Sequence, residues 1–267
     1  MDLKRILVVA NETKPRALQA VARLKPWCQE RRIELVAVDG PPPQDDEGAI
    51  VLSLGGDGTV LRAAALFERS AIPILGINVG SLGFLTQAPL EGLEDALELV
   101  LADEYSVEER MRLAYVADGT RGTVLNELVI AGRGDAGFCE VDLMWGDGHV
   151  AQFPGDGLIV ATATGSTAYS LSAGGPIIVP PAACILATPH ASHRLGLRPI
   201  VFPPDEVLKV RVKTGVRLVA DGDLVRPFEA GSDIHIRRAP TPTRLVRLNS
   251  AMPFFGVLNE KLNWAGA

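Results

Sequence analysis

The stretch Val51–Leu61, VLSLGGDGTVL, sets one carboxylate, Asp57, among three glycines, Gly55, Gly56 and Gly58. The apolar run Ile50–Leu54 before it predicts a buried strand, and Val60–Ser70 after it predicts a helix. Glycines at such a junction let the backbone turn sharply and come close to a ligand. The helix start adds unpaired N–H groups and partial positive charge, which suit phosphate. A carboxylate there repels phosphate unless it has a task, and two tasks are open: taking a proton from a nucleophile, or holding Mg²⁺. The plain alternative is a turn at Asp57–Gly58 with Thr59 as a helix cap. Three glycines around one Asp favour the site. Arg62, one turn into the helix, is either a further phosphate ligand or an ordinary exposed arginine.

The second chemistry-bearing stretch is Asp156–Pro180, DGLIVATATGSTAYSLSAGGPIIVP. A strand at Leu158–Ala161 runs into a cluster of small polar residues with Gly165, Gly174 and Gly175 interspersed. Hydroxyls and exposed amides can serve ribose hydroxyls and a base edge, and Tyr169 can stack. The small polar residues here are Thr162, Thr164, Ser166, Thr167, Tyr169, Ser170 and Ser172, with Ala168 and Leu171 between them; the competing reading is a Ser/Thr-rich loop capping a helix at Thr167. Asn126–Glu127 sits inside the run VLNELVIAG, read as one strand over Thr123–Ala131, so that its amide and carboxylate point to opposite faces. A second Gly-rich loop, GINVGSLGFLT at Gly76–Thr86, follows another strand. Among the recurring Asp-Gly pairs, Asp118 and Asp147 read as turns, whereas Asp156 and Asp221 stay open.

The elements that must position these residues change character along the chain. Leu3–Ala10, Ile33–Val38, Ile50–Leu54 and Ile72–Asn78 read as strands; Pro15–Lys25, Val60–Ser70 and Pro89–Leu101 read as helices. Gly40–Gly48, polar and proline-rich, reads as an exposed loop. Alternation of this kind predicts a parallel, Rossmann-like sheet, with ligands beyond the carboxyl ends of its strands. From about Tyr105 short strand-like runs take over, with a hairpin at Phe138–Trp145 and His149–Phe153 and further runs at Ile177–Val179, Ile200–Phe202, Val207–Lys213, Val216–Val219 and Asp233–Arg237. The fold class is therefore an α/β N-terminal domain with a parallel sheet, over residues 1–104, plus a mostly β, sandwich-like C-terminal domain over 105–253. Phe254–Trp264 reads as an apolar segment returning to the first domain, which would then take in 254–267.

With 267 residues, 47% of them hydrophobic, the chain can bury a sizeable core. A net charge of −6 argues against nucleic acid as the main partner, but not against phosphate, which a loop of N–H groups can bind inside an acidic protein. Cys28, Cys139 and Cys184 are scattered and form no zinc spacing. No segment has the length of a membrane span or a signal h-region, so a cytoplasmic protein without a membrane partner is expected.

GGDGT resembles the loop of a kinase superfamily that contains NAD kinases, diacylglycerol-type lipid kinases and, more distantly, phosphofructokinases. GGDGT, GINVGSLGFL, Asn126–Glu127, DGLIVATATGSTAYSLSAGGPI and the Arg198–Pro203 run RPIVFP occur in this order, and the ensemble resembles NAD kinase. The lipid kinases share only the first motif, and a Walker-type lysine loop is absent. The resemblance implies transfer of the γ-phosphoryl of ATP, or of polyphosphate, to the 2′-hydroxyl of the adenosine ribose of NAD, giving NADP. It implies Asp57 as the catalytic carboxylate with Gly58 beside the substrate, and Mg²⁺ held through phosphates and Asp57. Asn126 and Glu127 match the pair that binds base and ribose, Asp156 the carboxylate near a ribose, and Thr167, Ala168, Tyr169 and Ser172 the dinucleotide loop. Asp221 falls in the late Asp-Gly motif. Pro154, Ala163 and Asp223 depart from the family's usual Arg, Pro and Gln. Homodimers or homotetramers are implied as well. The alternatives are a lipid kinase of the same superfamily and a non-catalytic NAD(P)-binding sensor, which would not need Asp57.

Overall fold

The computed structural model describes residues 3–38, 46–133 and 137–263. Most of the expected loop at Gly40–Gly48 lies outside the described residues. The described chain forms two compact units, residues 1–109 with 243–267, and residues 110–242.

The first unit opens with β1 (Arg5–Ala10), α1 (Pro15–Arg31), β2 (Glu34–Ala37), β3 (Ala49–Gly55), α2 (Asp57–Leu66) and β4 (Ile74–Asn78). β5 (Ala88–Pro89), a single 3₁₀ turn, α3 (Leu93–Leu101) and β6 (Tyr105–Arg110) follow. β1 pairs in parallel with β2 and β3, and β3 with β4. Side-chain alternation sorts the two faces of this sheet. Ile50, Leu52, Leu54, Leu75 and Ile77 pack in one core with Ala17, Ala20 and Leu24 of α1 and Leu93, Leu97 and Val100 of α3. α2 covers the opposite face, where Val60 lies so close to Gly76 that a Cβ there would come within 2.9 Å of it. The site-bearing loops thus leave the carboxyl ends of β3 and β4. α2 begins at Asp57, three residues earlier than the apolar run suggests, because its first turn is polar and glycine-rich.

The second unit holds two six-stranded antiparallel sheets. Its strands are β7 (Leu113–Ala117), β8 (Thr120–Val124), β9 (Glu127–Gly132), β10 (Cys139–Trp145), β11 (Gly148–Gly155) and β12 (Gly157–Ala161), then β13 (Ile185–His190), β14 (Ile200–Phe202), β15 (Leu208–Val212), β16 (Val216–Ala220), β17 (Asp223–Phe228) and β18 (Asp233–Arg238). One sheet runs β11-β10-β15-β18-β7-β8, the other β14-β13-β12-β9-β16-β17. Leu113, Val141, Leu143 and Val210 of the first share a core with Leu128, Ile130, Leu158, Val160 and Leu218 of the second, which makes this unit a sandwich. Val129, Ile159, Ala161 and Leu186 form a small apolar patch on the outer face of the second sheet, together with Ala173 and Ile178.

Two strand expectations are corrected. Thr123–Ala131 is not one strand: β8 ends at Val124 and β9 starts at Glu127, each in a different sheet. The N–H groups of Leu125, Asn126 and Glu127 turn instead to the Asp221 carboxylate, at 2.7, 2.9 and 3.0 Å, which diverts the chain between sheets. Asn126 accordingly lies before the strand and not on its opposite face. Ile177–Val179 forms no strand; the Ile178 N–H is bonded to the Ser166 hydroxyl at 3.0 Å, which ties this segment to the loop above it.

The chain then returns to the first unit. β19 (Thr243–Leu248) lies between β4 and β6 in the seven-stranded sheet, and α5 (Phe254–Leu262) ends the described chain. The return therefore begins at 243, eleven residues earlier than the apolar tail indicated, because Arg244 and Arg247 interrupt β19 and leave it no long apolar run.

Candidate active site

In the first unit, Gly56 caps α2 in extended conformation and Asp57 is the first helical residue. Gly55 is obligatory, since a Cβ there would lie 1.9 Å from the Thr59 hydroxyl. Thr59 is buried in the first turn of α2 against Gly55 and is not its cap. The Asp57 carboxylate is held by the loop that follows β4: Phe84 N–H donates to Oδ2 at 2.9 Å and Leu85 N–H to Oδ1 at 3.0 Å. Gly83 packs so tightly on this carboxylate that a Cβ would approach Oδ1 to 2.1 Å. The second Gly-rich loop is thus the cradle of the first loop's carboxylate. Asp57 is half-exposed and Gly58 exposed, while Arg62 is exposed with no hydrogen bond or ion pair to a described residue. Among the described residues no group of three or more His, Cys, Asp or Glu could hold a metal ion. One fixed carboxylate at a glycine-rich helix start is nevertheless a donor set that fits Mg²⁺, which is commonly held by one or two carboxylates and the phosphates of a ligand.

In the second unit, a cavity of about 450 Å³ opens on the outer face of the second sheet. Glu127, Val129 and Ala131 of β9, Arg217 and Val219 of β16, Asp156, Tyr169, His190 and Gly222 line it. Glu127 is 8% exposed and its Oε2 is buried without a hydrogen-bond partner among the described residues, an acceptor left for a ligand hydroxyl. Burial, and then the nearby Asp221, raise its pKa to about 7, against the Tyr169 N–H that favours its charged form. Asp221 is raised too, by burial, although the three backbone N–H groups and Arg112 oppose the shift. Its residue is in the left-handed conformation, φ 47°, followed by Gly222 at φ 94°. With its oxygens engaged by backbone, Asp221 fixes where Asn126 and Glu127 sit. Asp223 is exposed at the start of β17.

The hydroxyl-rich loop is largely spent on itself. Thr162 Oγ1 donates to the Leu125 carbonyl at 2.6 Å, Ser166 Oγ to Ala163 at 2.7 Å, and Thr167 Oγ1 to Thr164 at 3.2 Å. Ser170 is fully buried and pairs with the Thr188 hydroxyl at 2.8 Å; Thr164 is buried and accepts from Arg110 at 3.2 Å. Thr167 does not cap α4 (Tyr169–Ser172), whose N-cap is Ala168. Tyr169 is 39% exposed, with its hydroxyl 3.2 Å from His190 Nε2; Leu171 is half-buried and Ser172 exposed. His190 and Arg217 were not among the expected residues. Period-two alternation with the buried Val216 and Leu218 could have placed Arg217 on the cavity face, but nothing local marks His190.

The ATP-NAD kinase N-terminal domain matches residues 27–105, and the ATP-NAD kinase C-terminal domain residues 125–248. The NAD kinase of Heliobacterium modesticaldum is 36% identical over 275 residues, covering 96% of this chain and 97% of its own. The crystal structure of an NAD kinase from Archaeoglobus fulgidus in complex with ATP is 28% identical, with a TM-score of 0.77 over 92% of this chain and 94% of its own. That of yeast NADH kinase complexed with NADH shares the fold, with a TM-score of 0.86 at 19% identity over 100% of this chain and 89% of its own. A glycine-rich helix start with a fixed carboxylate, and a sandwich with a carboxylate-lined cavity, thus belong to a phosphotransferase that acts on nucleotides. The chain is a member of the NAD kinase family.

Proposed function

We propose that the two units divide the reaction, the α/β unit holding the phosphoryl donor and the β-sandwich the dinucleotide. ATP, or polyphosphate in its place, donates its terminal phosphoryl to the 2′-hydroxyl of the adenosine ribose of NAD. The observation that carries this reading is the Asp57 carboxylate, held by two N–H groups at the head of α2. Phosphoryl transfer through a loose transition state depends mainly on position and charge neutralisation. Gly55, Gly56 and Gly58 leave room for phosphates at the helix N-terminus. Asp57 orients the 2′-hydroxyl and accepts its proton late, when that oxygen has become acidic. Bound Mg²⁺, held by Asp57 and phosphates, supplies positive charge there. Glu127 and Asp156 take ribose hydroxyls, and Tyr169 packs against the dinucleotide with Ala168, Leu171 and Ser172. Asn126 contacts the base; Thr164, Thr167, Ser170 and Asp221 shape the surface from behind. Arg62, exposed on the first unit, serves the donor phosphates, and Asp223, exposed on the second, serves the dinucleotide.

The GGDGT loop also supports descent in common with diacylglycerol-type lipid kinases. No described helix is long and apolar enough to cross a membrane. We place the enzyme in the cytoplasm as a homodimer or homotetramer, on the family resemblance. The test is NADP formation from NAD, ATP and Mg²⁺, wild type against Asp57→Asn. The variant keeps the side chain's size and one of its two N–H bonds, since an amide nitrogen cannot accept the other, binds NAD within a few-fold, and loses about 10²–10⁴ in kcat, the usual worth of general-base assistance. Near-normal single-turnover NADP formation by Asp57→Asn would show that the proton goes elsewhere.

A further inference from the structure

We propose that Lys261 of α5 is a positioning residue for the reaction: it latches the Leu82–Leu85 segment so that two backbone N–H groups keep the Asp57 carboxylate in place. The proposal rests on the assignment of Asp57 to the chemistry. α5 buries Val257 and Leu258 and leaves Lys261, one turn on from Leu258, at the border of that face. The Lys261 ammonium donates to the Leu82 carbonyl at 2.7 Å, and the same Nζ stands 5.1 Å from the centroid of the Phe84 ring. The Phe84 ring also meets the Phe254 ring from the first turn of α5, with centroids 6.0 Å apart. The clamp and the cradle share residues: Phe84 gives its ring to α5 and its N–H to Asp57, and Leu85 gives the second N–H.

A lysine in the last turn of a helix ordinarily complements the helix's own carbonyls and dipole. Lys261 instead reaches a carbonyl of another segment, two residues from the first of the Asp57 donors. A charge-assisted bond of this length is among the stronger ones a surface side chain makes. Its loss frees the loop, not the sheet, because β3 and β4 remain paired through their own ladder. Gly83, packed on the carboxylate, transmits any shift of the loop directly to Asp57.

Backbone hydrogen exchange and steady-state kinetics on the full chain test this with Lys261→Ala, Lys261→Met and Lys261→Arg. Lys261→Met keeps the stem over Phe84 and serves if Lys261→Ala does not fold. Removing the ammonium is expected to speed exchange of the Phe84 and Leu85 amides about tenfold, with β3 and β4 amides unchanged. It is expected to lower kcat about tenfold while KM for NAD changes less than about twofold, as misplacement of a reacting group does. Lys261→Arg should restore both. The latch is overturned by unchanged exchange at Phe84 and Leu85, by faster exchange throughout the sheet, by faster loop exchange at full kcat, or by a kcat loss that arginine does not rescue. Asp57→Asn decides independently whether Asp57 acts at all.

Discussion

Glu127 is a carboxyl group kept from water, with one oxygen unpaired and its pKa lifted to about 7. Near neutrality it is therefore partly protonated and can either donate to or accept from a ligand hydroxyl. The same shift bears on stability. The native state holds a proton that the unfolded chain, with an ordinary value near 4.5, has released. The resulting stability is complete below about pH 4.5 and is lost as pH rises through about 7. Glu127→Gln removes that loss. The variant should be more stable than wild type at pH 8 by about 1–3 kcal/mol, with the gain vanishing towards pH 5, and should bind NAD more weakly. Thermal unfolding from pH 5 to 8 checks the slope; a pH-independent difference would show that Glu127 ionises as an ordinary surface carboxylate.

At the scale of elements, the hydroxyl-rich loop after β12 depends on a glycine where the chain crosses itself. A Cβ on Gly165 would lie 2.2 Å from the Asn126 carbonyl oxygen and 2.5 Å from its carbon. That oxygen also accepts the Thr162 N–H at 2.9 Å, so it cannot give way without loosening the start of the loop. Gly165→Ala is therefore expected to cost about 1–3 kcal/mol of stability, as overpacking does, and to weaken NAD binding by more than tenfold. Gly196→Ala, where a Cβ meets nothing within 4 Å, is the control and should be neutral. Calorimetric NAD affinity and thermal midpoint on both variants compare them; equal behaviour would mean that the 3₁₀ turn at Gly165 moves freely over Asn126.

For the whole molecule, the consequential feature is that the α/β unit is built from both ends of the chain. β19 lies inside its sheet, between β4 and β6, and Val246 and Leu248 belong to its core. A chain ending at Pro242 loses that strand and α5 together. It should lose protection in β1, β3 and β4 and all NADP formation, while β9, β12 and β16 of the sandwich stay protected, because residues 110–242 contain both sandwich sheets entire. Hydrogen exchange followed by mass spectrometry reads this. Undiminished protection of β3 and β4 would show that the unit does not need its C-terminal strand.

What the sequence determined by itself was local or periodic. The glycine-rich turn at Gly55–Thr59 is legible because strand, glycines and helix adjoin within a dozen residues. The parallel sheet and the sandwich read from apolar runs and from alternation, which backbone geometry imposes on any strand or helix. Tertiary structure decided the contacts made at a distance along the chain. Asp57 is cradled by N–H groups 27 and 28 residues away, and the strand expected through Asn126 is broken by a carboxylate 95 residues on. β19 was missed because its arginines interrupt the apolar pattern, though its place inside the sheet buries Leu245 and Val246 completely or nearly so. The hydroxyls of Thr162 and Ser166 donate to nearby carbonyls, since a buried hydroxyl must find an acceptor wherever the fold puts one. Residue type states what a group can do. Only the packed chain settles which partner has already claimed it and which oxygen, as at Glu127, is left over.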